Sequence, residues 1–285
     1  MARVVVITGC STGVGKSLAL LLAKKTLENG SKKYKVYATM RKPVPLSDEQ
    51  FDNLIVAPLD VTSDDSVNQF KDFVASNNDE VSVVVNNAGY AIQGTHETNS
   101  IQQAKDQFET NFFGVLRVNG AFLPKMREKK EGHVIGVSSV GGLIGTPFND
   151  CYCATKFALE GLFESMASTN KNFGIQTSLV EPGAILTAFV GNVDRPKADD
   201  LPETLRNAFT KYSTVMEAAF SSATAQSADQ VAEVIITAIE DGENKSAHLR
   251  YQTSEMAKAI AGAKLKDPTG DSLVNVSYQR FFGSS

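Results

Sequence analysis

The order of apolar runs along the chain predicts an α/β fold with a doubly wound parallel sheet. Short β-branched runs alternate with longer helical stretches for most of the 285 residues. The short runs are almost continuously apolar, as strands covered by helices on both faces must be. A glycine-rich turn, Thr8-Gly9-Cys10-Ser11-Thr12-Gly13-Val14-Gly15, follows the first run and opens the first helical stretch.

Six strands are expected in turn: Val4–Thr8, Lys35–Thr39, Leu54–Pro58, Val81–Val85, His133–Ser138 and Ile175–Val180. Between them lie helical patterns at Ser17–Asn29, Asp64–Ser76, Ile101–Lys129 and Tyr152–Asn172. In the second of these, Ser63 can cap, Asp64 and Asp65 suit the positive end, and Val67, Phe70, Phe73 and Val74 form the expected buried stripe. After the sixth strand the pattern breaks. Residues 189–226 are mixed, with an expected helix through Leu205, Phe209 and Tyr212 that can serve as a substrate lid. A helix near Asp229–Glu240, a strand near His248–Gln252 and a less regular C-terminus follow. The whole reads as one domain, 1–285, with a cofactor half at about 1–130, a catalytic half at about 131–188, the lid at about 189–226 and a remainder from 227.

Composition narrows the function. The 28 basic and 32 acidic residues give a net charge of -4, without the basic footprint of a nucleic-acid binder. No apolar run reaches the roughly 20 residues that span a bilayer, and the N-terminus lacks a secretory signal, so a cytoplasmic location is expected. The three cysteines, Cys10, Cys151 and Cys153, make no disulfide framework and no metal-ligand spacing; no metal is expected.

Between strand and helix, the glycine turn lets backbone N–H groups approach a pyrophosphate, the Rossmann-type arrangement. Gly15-Lys16-Ser17 imitates the end of a nucleoside-triphosphatase phosphate loop, but that loop needs glycine where Cys10 stands. Further on, Tyr152 and Lys156 share one helical face. A free tyrosine titrates near 10, and a neighbouring cation is expected to lower it toward working pH. Ser138-Ser139 ends a buried strand thirteen residues earlier; Asn86-Asn87-Ala88-Gly89 and Pro182-Gly183 end two others. Ligands of such sheets collect at these carboxyl ends.

Over roughly its first 190 residues the sequence resembles the short-chain dehydrogenase/reductase superfamily. The resemblance rests on the glycine turn, Asp60-Val61, Asn86-Asn87-Ala88-Gly89, Asn111, Ser139, Tyr152-x-x-x-Lys156, and Pro182-Gly183 with Thr187. The wording around Ser139-Val140-Gly141-Gly142-Leu143, Pro147-Phe148-Asn149-Asp150 and Phe157-Ala158-Leu159-Glu160-Gly161 is similar to the subgroup of estrogenic 17β-hydroxysteroid and photoreceptor-type retinol dehydrogenases. The resemblance implies proton exchange by Tyr152, tuning and ribose binding by Lys156, polarisation of the substrate oxygen by Ser139, and a water held by Asn111. It implies cofactor contacts from Gly9, Ser11, Thr12, Gly13, Val14, Gly15, Asp60, Val61, Asn87, Ala88, Gly89, Pro182, Gly183, Ile185 and Thr187. It also implies a homodimer or homotetramer paired through the two long helices.

The second strand ends Ala38-Thr39-Met40-Arg41-Lys42, with no carboxylate to grip a ribose 2′-hydroxyl. Arg41 can instead clasp a 2′-phosphate, so NADP(H) is expected over NAD(H). Leu143, Phe148, Phe189, Val193, Phe209 and Met216 are candidates for an apolar pocket suited to a steroid, retinoid or other lipophilic carbonyl or alcohol; small ketones and secondary metabolites stay open. The estrogenic enzymes use a lid histidine, whereas His96, His133 and His248 all lie outside 189–226. The rival class is a cofactor-binding sensor without catalysis, which would tolerate loss of Ser139 or Tyr152.

Overall fold

A computed structural model describes residues 2–186, 195–221, 225–266, 269 and 271–282. Seven parallel strands form the sheet in the order β3-β2-β1-β4-β5-β6-β9. They are β1 (Arg3–Ile7), β2 (Tyr34–Met40), β3 (Leu54–Pro58), β4 (Val81–Asn86), β5 (Gly132–Val137), β6 (Ile175–Glu181) and β9 (Arg250–Gln252). A separate two-stranded ladder pairs β7 (Ile185–Leu186) with β8 (Gln226–Ser227).

Successive strand residues point to opposite faces, and both faces are apolar. On one face Val5, Val83, Val85 and Val137 pack with Leu18 and Leu22 of α1 (Gly13–Lys24) and Ile235 and Ile239 of α7 (Ala228–Glu243). On the other, Val6, Val84, Val134 and Leu179 meet Phe70 of α2 (Asp64–Ser76), Phe122 of α4 (Gly114–Lys129) and Phe163 of α5 (Asp150–Lys171). The double burial explains why the strands carry no polar side.

Helix ends follow local chemistry. Ser63 accepts from Ser66 N–H at the start of α2, and capping boxes Ser100/Gln103 and Ser227/Gln230 open α3 (Ile101–Phe108) and α7. The expected single helix 101–129 is interrupted: Glu109–Phe113 winds as one π-helical turn between α3 and α4. Phe73, expected in the buried stripe of α2, is 43% exposed. It sits at the margin of that stripe and keeps an edge contact with Tyr37, with ring centroids 6.1 Å apart.

The helix expected through Leu205, Phe209 and Tyr212 is α6 (Glu203–Ala219). The C-terminus is more regular than expected, with α8 (Glu255–Lys266) and α9 (Asp271–Phe282). Of the segment 189–226 expected to form a lid, residues 189–194 and 222–224 lie outside the described residues. Among the described residues no helix is long and apolar enough to cross a membrane, and no group of His, Cys, Asp or Glu could hold a metal ion.

Candidate active site

The carboxyl ends of β1, β4, β5 and β6 open into one cleft of about 1600 Å³. Single-ligand pockets run to roughly 1,000 Å³, so this one has room for two molecules side by side.

At its floor lies the glycine turn. Gly9 has φ +73°, and a Cβ there would meet Ala88 Cα at 2.8 Å. Asn87 fastens the turn to β4: its Nδ2 donates to the carbonyls of Thr8 (2.9 Å) and Gly9 (3.0 Å). Thr8 Oγ1 accepts from the N–H groups of Asn87 and Ala88, both at 3.0 Å. Helix α1 starts at this turn without a capping side chain, unlike α2, α3 and α7, and without the first-turn acidic residue that α2 and α7 carry. Its N–H groups are thus left for a ligand, and an uncapped, unneutralised helix N-terminus suits a phosphate. Gly9, Ser11, Thr12, Gly13 and Val14 line the cleft; Gly15 packs within the turn, where a Cβ would meet Gly9 O at 2.5 Å.

The triphosphatase imitation is put to other use. Ser17 donates to Asp229 of α7, and buried Cys10 donates its thiol to Ile7 O at 3.3 Å.

Along the cleft toward β2 and β3, Arg41 and Asp60 lie near one another, followed by Val61. Burial raises the Asp60 pKa, but bonds from the Thr62 hydroxyl (2.7 Å) and N–H (2.9 Å), with Arg41 and Arg117 nearby, hold it below the ordinary value.

In the other direction lie Ser139, Tyr152 and Lys156. Ser139 follows β5, and its hydroxyl accepts from Gly141 N–H at 3.0 Å and is hydrogen-bonded to Tyr152. Lys156 is 6% exposed, donates from Nζ to Val137 O at 2.8 Å, and stands 5.7 Å from the Tyr152 ring centroid. The expected depression of the tyrosine pKa is not what this geometry gives. Burial pushes Tyr152 up to about 12, partly opposed by Ser139. Burial also brings Lys156 down to about 8, against the pull of Glu160. The lysine proton is directed at a carbonyl rather than at the phenol, so the cation acts on the ring face at a distance.

Asn111 sits in the π-helical turn and is 1% exposed. Its Oδ1 accepts from Tyr90 N–H at 3.0 Å, while Nδ2 donates to Tyr90 O at 2.9 Å and Thr155 Oγ1 at 3.1 Å. The side chain is committed to protein partners, and it fixes the loop after β4 against α5. Such π turns recur at functional sites, and nothing in the sequence pattern marks this one.

Ala88, Gly89, Pro182, Gly183 and Ile185 also line the cleft. Thr187, Phe189 and Val193 lie outside the described residues. The substrate candidates divide. Met216 lines the cleft; Leu143, Phe148 and Phe209 do not. Leu143 is 8% exposed, and Phe148 and Phe209 pack with Leu201 and Tyr212 in a separate small core at α6. That core absorbs the aromatic rings, and its polar centre went unseen in the sequence. The Tyr212 hydroxyl accepts from Gln93 Nε2 at 3.0 Å and Asn149 Nδ2 at 2.6 Å. Tyr90, Gln93, Ile144 and Met256 line the cleft without having been singled out. His133, buried within β5, pairs Nε2 with Ser178 Oγ of β6, and burial lowers its pKa to about 3.

A sheet of this order, with its cleft at the carboxyl ends of the strands, defines a Rossmann-type fold, and sequence comparison names the family. The short chain dehydrogenase family model matches residues 3–198. Retinol dehydrogenase 8 of Bos taurus is 37% identical over 294 aligned residues, spanning 98% of this chain and 90% of the relative. The 17-beta-hydroxysteroid dehydrogenase type 1 of Homo sapiens is 37% identical over 296, spanning 99% and 87%. The crystal structure of a short-chain dehydrogenase from Streptomyces avermitilis superposes with a TM-score of 0.76 at 26% identity, covering 98% of this chain and 97% of that one. The chain belongs to the short chain dehydrogenase family and is an oxidoreductase of CH–OH groups and their carbonyls. Within the family it falls with the retinol dehydrogenase 8 and 17-beta-hydroxysteroid dehydrogenase type 1 subgroup.

Proposed function

We propose that this protein is an NADP(H)-dependent enzyme that interconverts a lipophilic carbonyl and its alcohol, with Tyr152 as acid and base. The observation that carries the reading is the Ser139–Tyr152 hydrogen bond over a buried Lys156, at the strand ends that form the cleft.

The residues present fit a dinucleotide. The uncapped start of α1 suits the pyrophosphate, Asp60 and Val61 the adenine end, and Asn87, Ala88, Gly89, Pro182, Gly183 and Ile185 the walls between. Arg41, with Thr12 and Ser11 across the turn, suits a 2′-phosphate. When bound, the nicotinamide supplies or accepts the hydride.

The protein's part is proton handling and orientation. Tyr152, held as a neutral phenol by burial, carries the proton that it donates to the substrate oxygen during reduction. Ser139 stabilises that oxygen as its charge develops. Lys156 holds a ribose hydroxyl and, as a cation, favours the phenolate left after donation. Asn111 holds the Tyr90 loop and α5 together, so that a water beside Lys156 can return the proton. Residues up to about 130 serve the cofactor, 131–188 the chemistry and 189–226 the lid. Association of copies through α4 and α5 belongs to the same reading; Phe113, Leu116 and Phe157 stand 39–44% exposed there or beside them.

The test is Tyr152→Phe. Turnover should fall at least a thousandfold while NADPH affinity stays within about threefold. Retention of a tenth of the native rate would remove Tyr152 from the proton transfer.

A further inference from the structure

Two side-chain amides on the wall of the cleft keep their oxygens out of the protein's own hydrogen bonds. Asn149 is the N-cap of α5, where an asparagine ordinarily turns its oxygen onto the first N–H groups of the helix, yet its side chain makes no capping bond. Its Nδ2 donates instead to Pro147 O at 3.0 Å and to the Tyr212 hydroxyl at 2.6 Å, which fixes the sense of the amide. Gln93 lies beside it, through the Gly94–Asn149 bridge and the bond from Gly94 N–H to Phe148 O at 2.8 Å. Its Nε2 donates to the same hydroxyl at 3.0 Å. Gln93 and Asn149 line the cleft and Tyr212 does not, so both nitrogens face into the wall and both oxygens are the ends left to the cleft. Each residue is 8% exposed. Among the described residues neither oxygen accepts a hydrogen bond, and neither is among the fully buried polar atoms that lack one. The cofactor reading and the proton transfer use neither oxygen.

We propose that the substrate carries a hydroxyl group besides its reacting centre, which donates to Asn149 Oδ1 or Gln93 Oε1. The proposal rests on the reading of the cleft as a carbonyl–alcohol site. A wholly apolar substrate pressed against this wall displaces water from two acceptors and offers them nothing, which is costly. A hydroxyl supplies the missing donor, and a site built to bond a substrate hydroxyl rejects the analogue without it. Asn149 precedes Tyr152 by three residues, about one turn of α5, so the two side chains are neighbours on the helix. The hydroxyl therefore belongs within a few bonds of the reacting carbon, not at the far end of the skeleton.

The experiment compares three bulky ketones: decalone, a decalone bearing one hydroxyl, and the methyl ether of that hydroxydecalone. The hydroxyl is moved from one ring position to the next, and turnover is followed with NADPH and NADH. For the best-placed isomer kcat/KM should exceed that of both the ether and the unsubstituted ketone by about tenfold, the effect of one acceptor satisfied in a largely buried site. Gln93→Leu and Asn149→Leu are then measured separately, and the variant whose hydroxyl preference falls below about threefold names the acceptor. The preference is a ratio within one protein, so a merely structural loss lowers all three probes alike and leaves it unmoved. Equal turnover of the three probes by the native enzyme at every ring position would overturn the proposal alone. So would a preference that survives both variants. Failure to turn over any probe with either cofactor would overturn the carbonyl–alcohol reading together with it. Should a variant fail to fold, the positional series on the native enzyme still decides.

Discussion

Removing one buried hydroxyl should loosen α6 without touching the chemistry. Tyr212 is fully buried, and its oxygen accepts from Gln93 (3.0 Å) and from Asn149 (2.6 Å), residues that line the cleft while the tyrosine does not. Tyr212→Phe leaves the ring cluster with Phe148 and Phe209 in place but strands two buried amides. Orphaning Gln93 costs about 1–3 kcal/mol. Asn149 also donates to Pro147 O at 3.0 Å, so its loss is smaller, about 0.5–1.5 kcal/mol. The sum, about 3 kcal/mol, corresponds to a Tm about 6 °C lower for a chain of this size. Thermal and urea unfolding of native and variant protein check it. Changing both ends should be milder: Gln93→Met with Tyr212→Phe should regain part of the loss, because the Gln93 donor is then no longer stranded. Turnover of a small carbonyl should stay within about twofold, while KM for a bulky one rises. A Tm drop below about 1 °C, or a double variant no better than the single, would refute the account of Tyr212 as the polar tie between α6 and the loops that carry Gln93 and Asn149.

Three further outcomes are expected. Gly9→Ala combines a left-handed backbone with a 2.8 Å clash on Ala88 Cα, and should cost about 2–3 kcal/mol in urea unfolding. Gly30→Ala, with a similar φ but nothing within 4 Å, should cost about 1 kcal/mol; equal losses would deny the close approach. Burial lowers Lys156 from 10.5 to about 8, so between those values the unfolded chain holds the extra proton and stability rises with pH. The full rise is about 3 kcal/mol, and Lys156→Met should remove it; identical urea-midpoint profiles from pH 7.5 to 10.5 would contradict the buried cation. Arg41→Asp should weaken NADPH binding at least tenfold more than NADH binding, and an unchanged ratio would remove Arg41 from the 2′-phosphate.

The parallel sheet was legible because each strand is buried on both faces, and the site because its parts fall at strand ends. What escaped the sequence depends on contacts between distant segments. Tyr212 meets Gln93 and Asn149 across 119 and 63 residues, so a tyrosine readable only as core proves to be a polar junction. Phe148 and Phe209 show the converse: rings expected in the substrate pocket satisfy each other in the small core at α6. Arg250 joins Glu160 and Glu181 only because β9 pairs with β6, where burial raises the Glu181 pKa. The pKa of Tyr152 illustrates a limit of spacing. A four-residue interval places phenol and ammonium on one face, but the Val137 carbonyl decides where the ammonium points. Helices α8 and α9 were missed because their apolar residues show little periodicity and several of them stay exposed, Val274 at 67% and Val276 at 63%.

The central claim is that this cleft moves a hydride and a proton between NADP(H) and a lipophilic carbonyl. Its most direct measurement follows nicotinamide absorbance while native protein meets a bulky apolar aldehyde with NADPH or NADH, the alcohol product being quantified in parallel. NADPH consumption matched one-to-one by alcohol, with kcat/KM at least tenfold above that for NADH, is the expected result. Tight NADPH binding with no alcohol formed from any carbonyl would contradict the enzyme and leave a cofactor-binding sensor in its place.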